Sequence, residues 1–324
     1  MFKAIISGVA GQDGSFLSEF LLEKGYLVVG ITRRKSVDPG IDNIKHLLDN
    51  PNFKLIYGDI LDPTLIYRLL ADHKPHEFYN LAAMSHVGQS FKEPTSTWRI
   101  NAEAVISQLE AINQVSPYTR YYQAGTSELW GGINCPPDGY DESSRFNPRS
   151  PYAVSKVAAY WAVKNYRESY DLHACNGVLG NHSSTRRGLD FATRKITHGV
   201  ASVKLGLQDK LRMGNLEPFR DEGASPDYVR AMWLMLQQEQ PDDYVIATGD
   251  GATIRQMLEY VCELAELDIE KVYQQDPQFM RPSDVPYLKG NANKAKEKLG
   301  WTPTYNWKQL LEEMYLNDYH QLSK

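Results

Sequence analysis

Three glycines in Gly8-Val9-Ala10-Gly11-Gln12-Asp13-Gly14 follow an apolar run at Lys3–Ser7 and open an amphipathic stretch at 15–23. In that stretch Phe16, Leu17, Phe20 and Leu21 share one helical face, and Gly25 ends it before a second apolar run at 27–31. A strand, a glycine turn and a helix in this order form a dinucleotide fingerprint. The glycines allow a tight turn and close backbone approach to a pyrophosphate, and the helix N-terminus supplies N–H groups and a positive dipole end. The spacing alone is weak, and a merely structural turn is the competing reading; the position directly after a strand gives the motif its weight.

The same rhythm continues. Strands are expected at 54–57, 78–81, Arg120–Ala124 and 172–179, with helices at about 62–72, 95–115 and Pro151–Tyr170. Alternation of this kind builds right-handed βαβ units, so the expected fold class is α/β: a Rossmann-type doubly wound parallel sheet. After about residue 180 the pattern loosens into helices near 190–205, 227–238, 253–266, 291–299 and 307–317. Residues 244–247 form a strand that could rejoin the sheet. The expected division is a nucleotide-binding domain over 1–180 with a returning segment near 221–250. A smaller mixed lobe of 181–220 and 251–324 then sits at the C-terminal edge of the sheet, where ligands of open α/β sheets bind.

Composition sets outer limits. The chain has 324 residues, 42% hydrophobic and 23% charged, with net charge −5, so wholesale disorder, a general nucleic-acid surface and an anionic-membrane surface are not expected. No apolar stretch approaches a membrane span, and the first strand pattern begins at once, so no signal or transit peptide is expected ahead of it. Cys135, Cys175 and Cys262 are widely spaced and fit buried apolar side chains in a reducing, cytoplasmic setting better than a disulfide or zinc framework. No metal site is expected. His86 and His182 lack partners at ligand spacing and read as hydrogen-bonded structural histidines. Met232, Trp233, Met235 and Leu236 read as a helix core face.

At the end of the second strand, where an NAD-selective site places a carboxylate, stands Thr32-Arg33-Arg34-Lys35-Ser36. Two guanidinium groups suit a phosphate, which favours NADP over a plain solvated loop. Asp59, after the third strand, can accept from an adenine amino group or cap a helix, and spacing does not separate these roles. Tyr152 and Lys156 stand four apart on one face of the helix at Pro151–Tyr170. The ammonium is expected to lower the phenol's pKa and to bind the cofactor ribose, leaving Tyr152 ready to exchange a proton with a substrate hydroxyl. Thr126-Ser127-Glu128 follows the fifth strand, adding a hydroxyl for the same substrate oxygen and a second carboxylate for acid–base work; the plain alternative is a capped turn with a solvated Glu128.

Taken together these stretches resemble the extended short-chain dehydrogenase/reductase family and, within it, the GDP-mannose 4,6-dehydratases. Further matching stretches are Asn80-Leu81-Ala82-Ala83, Ser85-His86-Val87, Pro148-Arg149-Ser150-Pro151-Tyr152, Asn181-His182, Arg186-Arg187-Gly188, Arg281-Pro282 and Lys298-Leu299-Gly300-Trp301. The resemblance implies a self-recycled NADP held by Gly8, Gly11, Gln12, Asp13, Gly14, Arg33, Arg34, Asp59, Ile60, Leu81, Ala82, Ala83, Tyr152, Lys156, His182 and Arg187. It implies a GDP-sugar held by Ser85, Ser127, Asn181, Lys195, Arg220, Arg281 and Asp284, although Lys195 and Arg220 could be plain surface charges. By the same resemblance Tyr152 takes the O4 proton, Thr126 positions O4, Lys156 orients the ribose, and Glu128 serves both proton transfers of the elimination. A homo-oligomer, tetramer or dimer, is implied too, with the loop at 33–36 meeting a neighbour's cofactor site.

The chain departs from the family pattern at Gly180, where Phe is usual, at Glu222, where Trp is usual, and at Pro286, which replaces an acidic residue. Losing bulk there is expected to admit a larger sugar such as a heptose. A nucleotide-sugar epimerase or 4-keto reductase on the same fold needs Tyr152, Lys156 and a hydroxyl but has no evident use for Glu128. A catalytically silent NADP-binding regulator would not need an intact Tyr152 and Lys156.

Overall fold

The structure is a computed structural model and describes residues 1–34 and 40–324. The chain runs β1 (Lys3–Ser7), α1 (Gln12–Glu23), β2 (Leu27–Thr32), β3 (Phe53–Tyr57), α2 (Pro63–His73) and β4 (Glu77–Asn80). Short helices α3 (Val87–Ser90) and α4 (Pro94–Trp98) precede α5 (Ala104–Val115), β5 (Arg120–Ala124), α6 (Pro151–Tyr170) and β6 (Ala174–Leu179). The strands β1 to β6 lie parallel, and with β10 (Tyr244–Ile246) they make a seven-stranded sheet in the order β10-β6-β5-β4-β1-β2-β3. The order reverses between β1 and β4, which opens a crevice beyond their carboxyl ends.

Local chemistry explains these elements. Strands β1, β4, β5 and β6 are buried along nearly their whole length, covered on both faces as in a parallel sheet. Helices α2 and α6 each have proline in the first turn, and the side chains of Asp62 and Ser150 accept from Thr64 N–H and Ala153 N–H. One core layer joins Leu17 and Leu21 to Met232 and Trp301, and the other joins Leu69 and Leu109 to Val163.

The second half contributes β7 (Asn181–Ser183), α7 (Ala192–Lys204), β8 (Leu211–Met213), β9 (Phe219–Ala224), α8 (Ser225–Gln237) and β10 (Tyr244–Ile246). It ends with β11 (Gly251–Thr253), α9 (Ile254–Leu264), α10 (Ile269–Val272), β12 (Tyr273–Gln275), β13 (Tyr287–Leu288), α11 (Asn293–Leu299) and α12 (Trp307–Leu322). Of the returning stretch 221–250, β10 joins the main sheet beside β6, whereas β9 stays in the lobe between β11 and β13 with β7 alongside. Buried Asp221 on β9 accepts from the N–H groups of Thr248, Gly249 and Gly290, fastening the lobe to the loop after β10.

Three differences from the sequence expectation bear on the site. Helix α1 begins at Gln12, because the glycine turn passes directly into it. Strand β6 begins at Ala174, because Asp171 ends α6 in a left-handed conformation and two more residues complete the turn. The stretch 95–115 is not one regular helix: a π-wound turn at Arg99–Glu103 lies between α4 and α5. Such turns often mark sites where a side chain is re-aimed. Here that side chain is Asn101.

Candidate active site

All the candidate loops meet at the carboxyl edge of the main sheet. After β1, Gly8 has φ +74°, and a Cβ there would lie 2.8 Å from the Ala82 nitrogen in the loop after β4. A Cβ on Gly14 would meet the Gly8 oxygen at 2.4 Å. Only glycine permits this packing. Gly11 caps α1 without a side-chain hydrogen bond, so the first N–H groups of α1 face the crevice uncapped. This cradle fits a dinucleotide pyrophosphate, and Leu81, Ala82 and Ala83 form its other wall, with Ala82 N–H bonded to Ser7 Oγ at 3.3 Å.

Gln12 and Asp13 turn toward the lobe. Asp13 Oδ2 pairs with His182 Nε2 at 2.9 Å, and Asp13 Oδ1 accepts from Ser225 Oγ at 2.7 Å. Gln12 donates to the His182 carbonyl and accepts from Ser184 Oγ. Burial alone would raise the Asp13 carboxyl, but His182, Ser225 and Arg187 together hold it well below the usual carboxylate range. His182 is raised in return, with Asp13 overriding the effect of burial. His182 is thus a hydrogen-bonded, stacked histidine, 4.3 Å from the Tyr228 ring. Among the described residues no group of His, Cys, Asp and Glu is placed to hold a metal.

Arg33 and Arg34 are exposed at the end of β2; Lys35 and Ser36 of the basic loop lie outside the described residues. Asp59 accepts Leu61 N–H at 3.0 Å within its own turn, while the cap of α2 is Asp62. Ile60 beside it is buried.

The catalytic candidates converge at the end of β5. Thr126 caps the short helical turn Ser127–Trp130 and accepts Glu128 N–H at 3.3 Å. Lys156 Nζ donates to the Ala124 carbonyl at 2.8 Å and lies 6.0 Å from the Tyr152 ring. Burial pushes the Tyr152 phenol up to about 12, Thr126 and Arg187 acting the other way and Glu128 adding to the rise. The Lys156 ammonium is engaged by the Ala124 carbonyl at the end of β5, and its own pKa is pushed down to about 8 by burial. Arg187 is one cation that favours the Tyr152 phenolate, and its guanidinium lies 3.8 Å over the Phe191 ring.

Glu128 is 7% exposed, and its Oε2 has no hydrogen-bond partner among the described residues. Burial pushes its carboxyl up, while Arg220 and Arg281 pull it down and Asp284 adds to the rise. Three residues expected to hold substrate thus surround this carboxylate. Arg220 is buried rather than a surface charge; it donates to the Phe219 and Val285 carbonyls at 2.8 Å and pairs with Asp284 at 3.7 Å. Arg281 lies 3.8 Å from Asp284. Lys195 is not part of that cluster; it sits over the Phe279 ring in a cavity of about 340 Å³ with His198, Lys210 and Arg212. Ser85 is exposed at the start of the segment leading to α3, Ser127 is buried behind Glu128, and the Asn181 carbonyl accepts from the Tyr228 hydroxyl.

At Gly180 the departure from the family pattern does not open space as expected. A Cβ on Gly180 would meet the Tyr228 hydroxyl at 3.1 Å and the Ala247 Cβ at 3.3 Å, so the volume beside it is filled. Glu222 is buried opposite Asn181 on β7.

Asn101 was not legible as a site residue. Its Oδ1 accepts Met84 N–H at 2.9 Å, and its Nδ2 donates to the Met84 carbonyl and to Ser155 Oγ. Ser155 donates in turn to the Tyr152 carbonyl, and Ser90 Oγ accepts Tyr152 N–H. The π-wound turn thereby sets the catalytic helix against the loop after β4. No local sequence pattern announces this contact.

Comparison with known proteins agrees with this geometry. The family model for GDP-mannose 4,6 dehydratase matches residues 5–314. The chain is 44% identical to the GDP-mannose 4,6-dehydratase of Yersinia enterocolitica over 99% of this chain and 95% of that one. It is 45% identical to GDP-mannose 4,6 dehydratase 1 of Arabidopsis thaliana over 97% of this chain and 89% of that one. The human GDP-mannose 4,6 dehydratase is 42% identical, over 96% and 90%. Among solved structures, the fold is similar to dTDP-glucose 4,6-dehydratase from Bacillus anthracis in complex with NAD, at TM-score 0.86 and 20% identity, covering 99% of this chain and 97% of that chain. UDP-glucose 4-epimerase from Thermotoga maritima has TM-score 0.86 and 24% identity, covering 99% of each. The fold is thus shared by dehydratases and epimerases, and the full-length matches decide between them: the chain belongs to the GDP-mannose 4,6-dehydratase family.

Proposed function

We propose that the protein converts GDP-mannose to its 4-keto-6-deoxy derivative, using an NADP that is regenerated within each turnover. The observation that carries this reading is Glu128, a buried carboxylate with a free oxygen, in the same cleft as Thr126, Tyr152 and Lys156. An epimerase or 4-keto reductase would need the other three and not this one. Bound in the glycine cradle, NADP supplies a hydride acceptor for the sugar's C4 and later a donor for C6.

The protein's own groups do the rest. Tyr152 takes the O4 proton, with Thr126 hydrogen-bonded to the same oxygen and Arg187 favouring the phenolate. Once C4 is a carbonyl, the C5 proton becomes acidic, and Glu128 removes it and protonates the departing C6 hydroxyl, which leaves as water. After hydride reaches C6, C5 takes up one proton, balancing the one Tyr152 removed from O4. A carboxyl raised by burial and restrained by two arginines is suited to take up and give back a proton. Arg220 and Arg281 suit the diphosphate, Asp284 the ribose hydroxyls, and Lys195 with its cationic neighbours the nucleotide end. Arg33 and Arg34, with no carboxylate at the end of β2, support the choice of NADP over NAD.

A homo-oligomer fits the exposed Trp98, Ile106, Val154 and Trp161 on α4, α5 and α6. No helix among the described residues is long and apolar enough to cross a membrane; a cytoplasmic location fits the three free cysteines. Purified protein given GDP-mannose without added nicotinamide should form a 4-keto-6-deoxy product with no net NADPH. Release of NADPH in step with sugar oxidation would identify an ordinary dehydrogenase instead.

A further inference from the structure

We propose that Tyr57 is a positioning residue for the 2′-phosphate of the cofactor, acting through Arg34. The inference rests on the NADP reading above. Tyr57 is the last residue of β3 and stands opposite Thr32, the last residue of β2, in the parallel pair. Arg34 is two residues further on, and its guanidinium carbon lies 5.7 Å from the centre of the Tyr57 ring. The ring is 43% exposed, in contrast to Phe53, which starts the same strand inside the core. A large aromatic side chain at the rim of the sheet therefore has its face against an arginine.

That contact has a physical consequence for anion binding. A free surface arginine spreads over many rotamers, and ordering it costs conformational entropy when it grips a phosphate. A guanidinium laid against an aromatic face is held by cation–π attraction, yet its N–H donors point outward in its own plane and stay available for a bidentate oxyanion contact. The backbone under the ring is also fixed. A Cβ on the next residue, Gly58, would meet Leu65 Cδ2 at 2.3 Å, so β3 ends in close packing against α2. Tyr57 thus carries the position of a rigid strand end to a side chain that follows a different strand. The role requires the ring and not the hydroxyl.

The test measures binding of NADP+ and of NAD+ to nucleotide-stripped protein by titration calorimetry, for wild type, Tyr57→Phe, Tyr57→Leu, Arg34→Ala and the Tyr57→Leu/Arg34→Ala pair. Melting curves confirm that each variant is folded. Tyr57→Leu is expected to weaken NADP+ about two- to fivefold, the range of an exposed cation–π contact. NAD+ affinity should stay unchanged, Tyr57→Phe should match wild type, and Tyr57→Leu should add nothing once Arg34 is alanine. Equal weakening of both nucleotides would overturn the proposal, since it would mean that the ring stacks on the shared adenine. Unchanged NADP+ affinity in Tyr57→Leu would overturn it as well. A wild type that binds NAD+ as tightly as NADP+ would instead remove the cofactor reading beneath it.

Discussion

Asp13, in the first turn of the cofactor helix, and His182, on the first strand of the lobe, meet at 2.9 Å and are far apart in sequence. The pair ties the phosphate cradle to the substrate lobe, so anything that loosens it should loosen both. Its pH dependence follows from the two shifts. His182 is raised in the folded protein, so its contribution is complete below its ordinary value of 6.5 and fades as pH climbs through the folded value. Asp13 is lowered, so its contribution is present above its ordinary value of 3.8 and fades as pH falls through the folded value. His182→Gln is expected to lose about 1–3 kcal/mol of stability near pH 6. Melting temperatures across pH 5–9, a range spanning the ordinary histidine titration, should show the gap between variant and wild type narrowing as pH rises. A gap that widened toward high pH would contradict the assignment.

Glu128→Gln should separate the two halves of the reaction. The amide cannot accept the C5 proton, so steady turnover should drop by about 10²–10⁴-fold. Oxidation at C4 should continue, seen as reduced nicotinamide absorbance building up in a single turnover. Glu128 Oε2 has no hydrogen-bond partner to lose, so any change in melting temperature should come only from removing its charge beside Arg220.

Tyr152→Phe should suppress that first absorbance change itself, again by about 10²–10⁴-fold. Arg187→Leu should weaken the same step and shift its pH profile to higher pH, because the cation that favours the phenolate is gone. A profile displaced to lower pH would assign the effect to another group.

Asn101→Ala should leave the reacting groups in place but free the loop after β4 from α6. The expected result is a lower kcat with a modest change in stability, and Asn101→Asp should restore only part of it, because the Met84 carbonyl and Ser155 then lose their donor. Equal kcat in Asn101→Ala and wild type would show that the π-wound turn does not set the geometry of Tyr152.

Much of this molecule was legible in its sequence because the signals were local. Gly8, Gly11 and Gly14 stand where backbone approach excludes a side chain, and the strand–helix alternation predicts the parallel sheet. Residues that act over distance were harder to read. Asn101 gains its meaning from Met84 and Ser155, contacts that only the folded chain supplies. Helical spacing puts Lys156 on the face of Tyr152, but spacing says nothing of the Ala124 carbonyl that accepts its N–H. Gly180 suggested a vacant pocket because the sequence does not disclose that Tyr228 and Ala247 fill it.

The most direct test follows one hydrogen. GDP-mannose deuterated at C4 is turned over to completion in ordinary water, and the product is examined by NMR. The account predicts deuterium at C6, because the hydride leaves and returns within one active site; unlabelled GDP-mannose turned over in heavy water should instead carry solvent deuterium at C5, where a proton is lost and regained. Deuterium lost to the medium, or carried away on released NADPH, would contradict it.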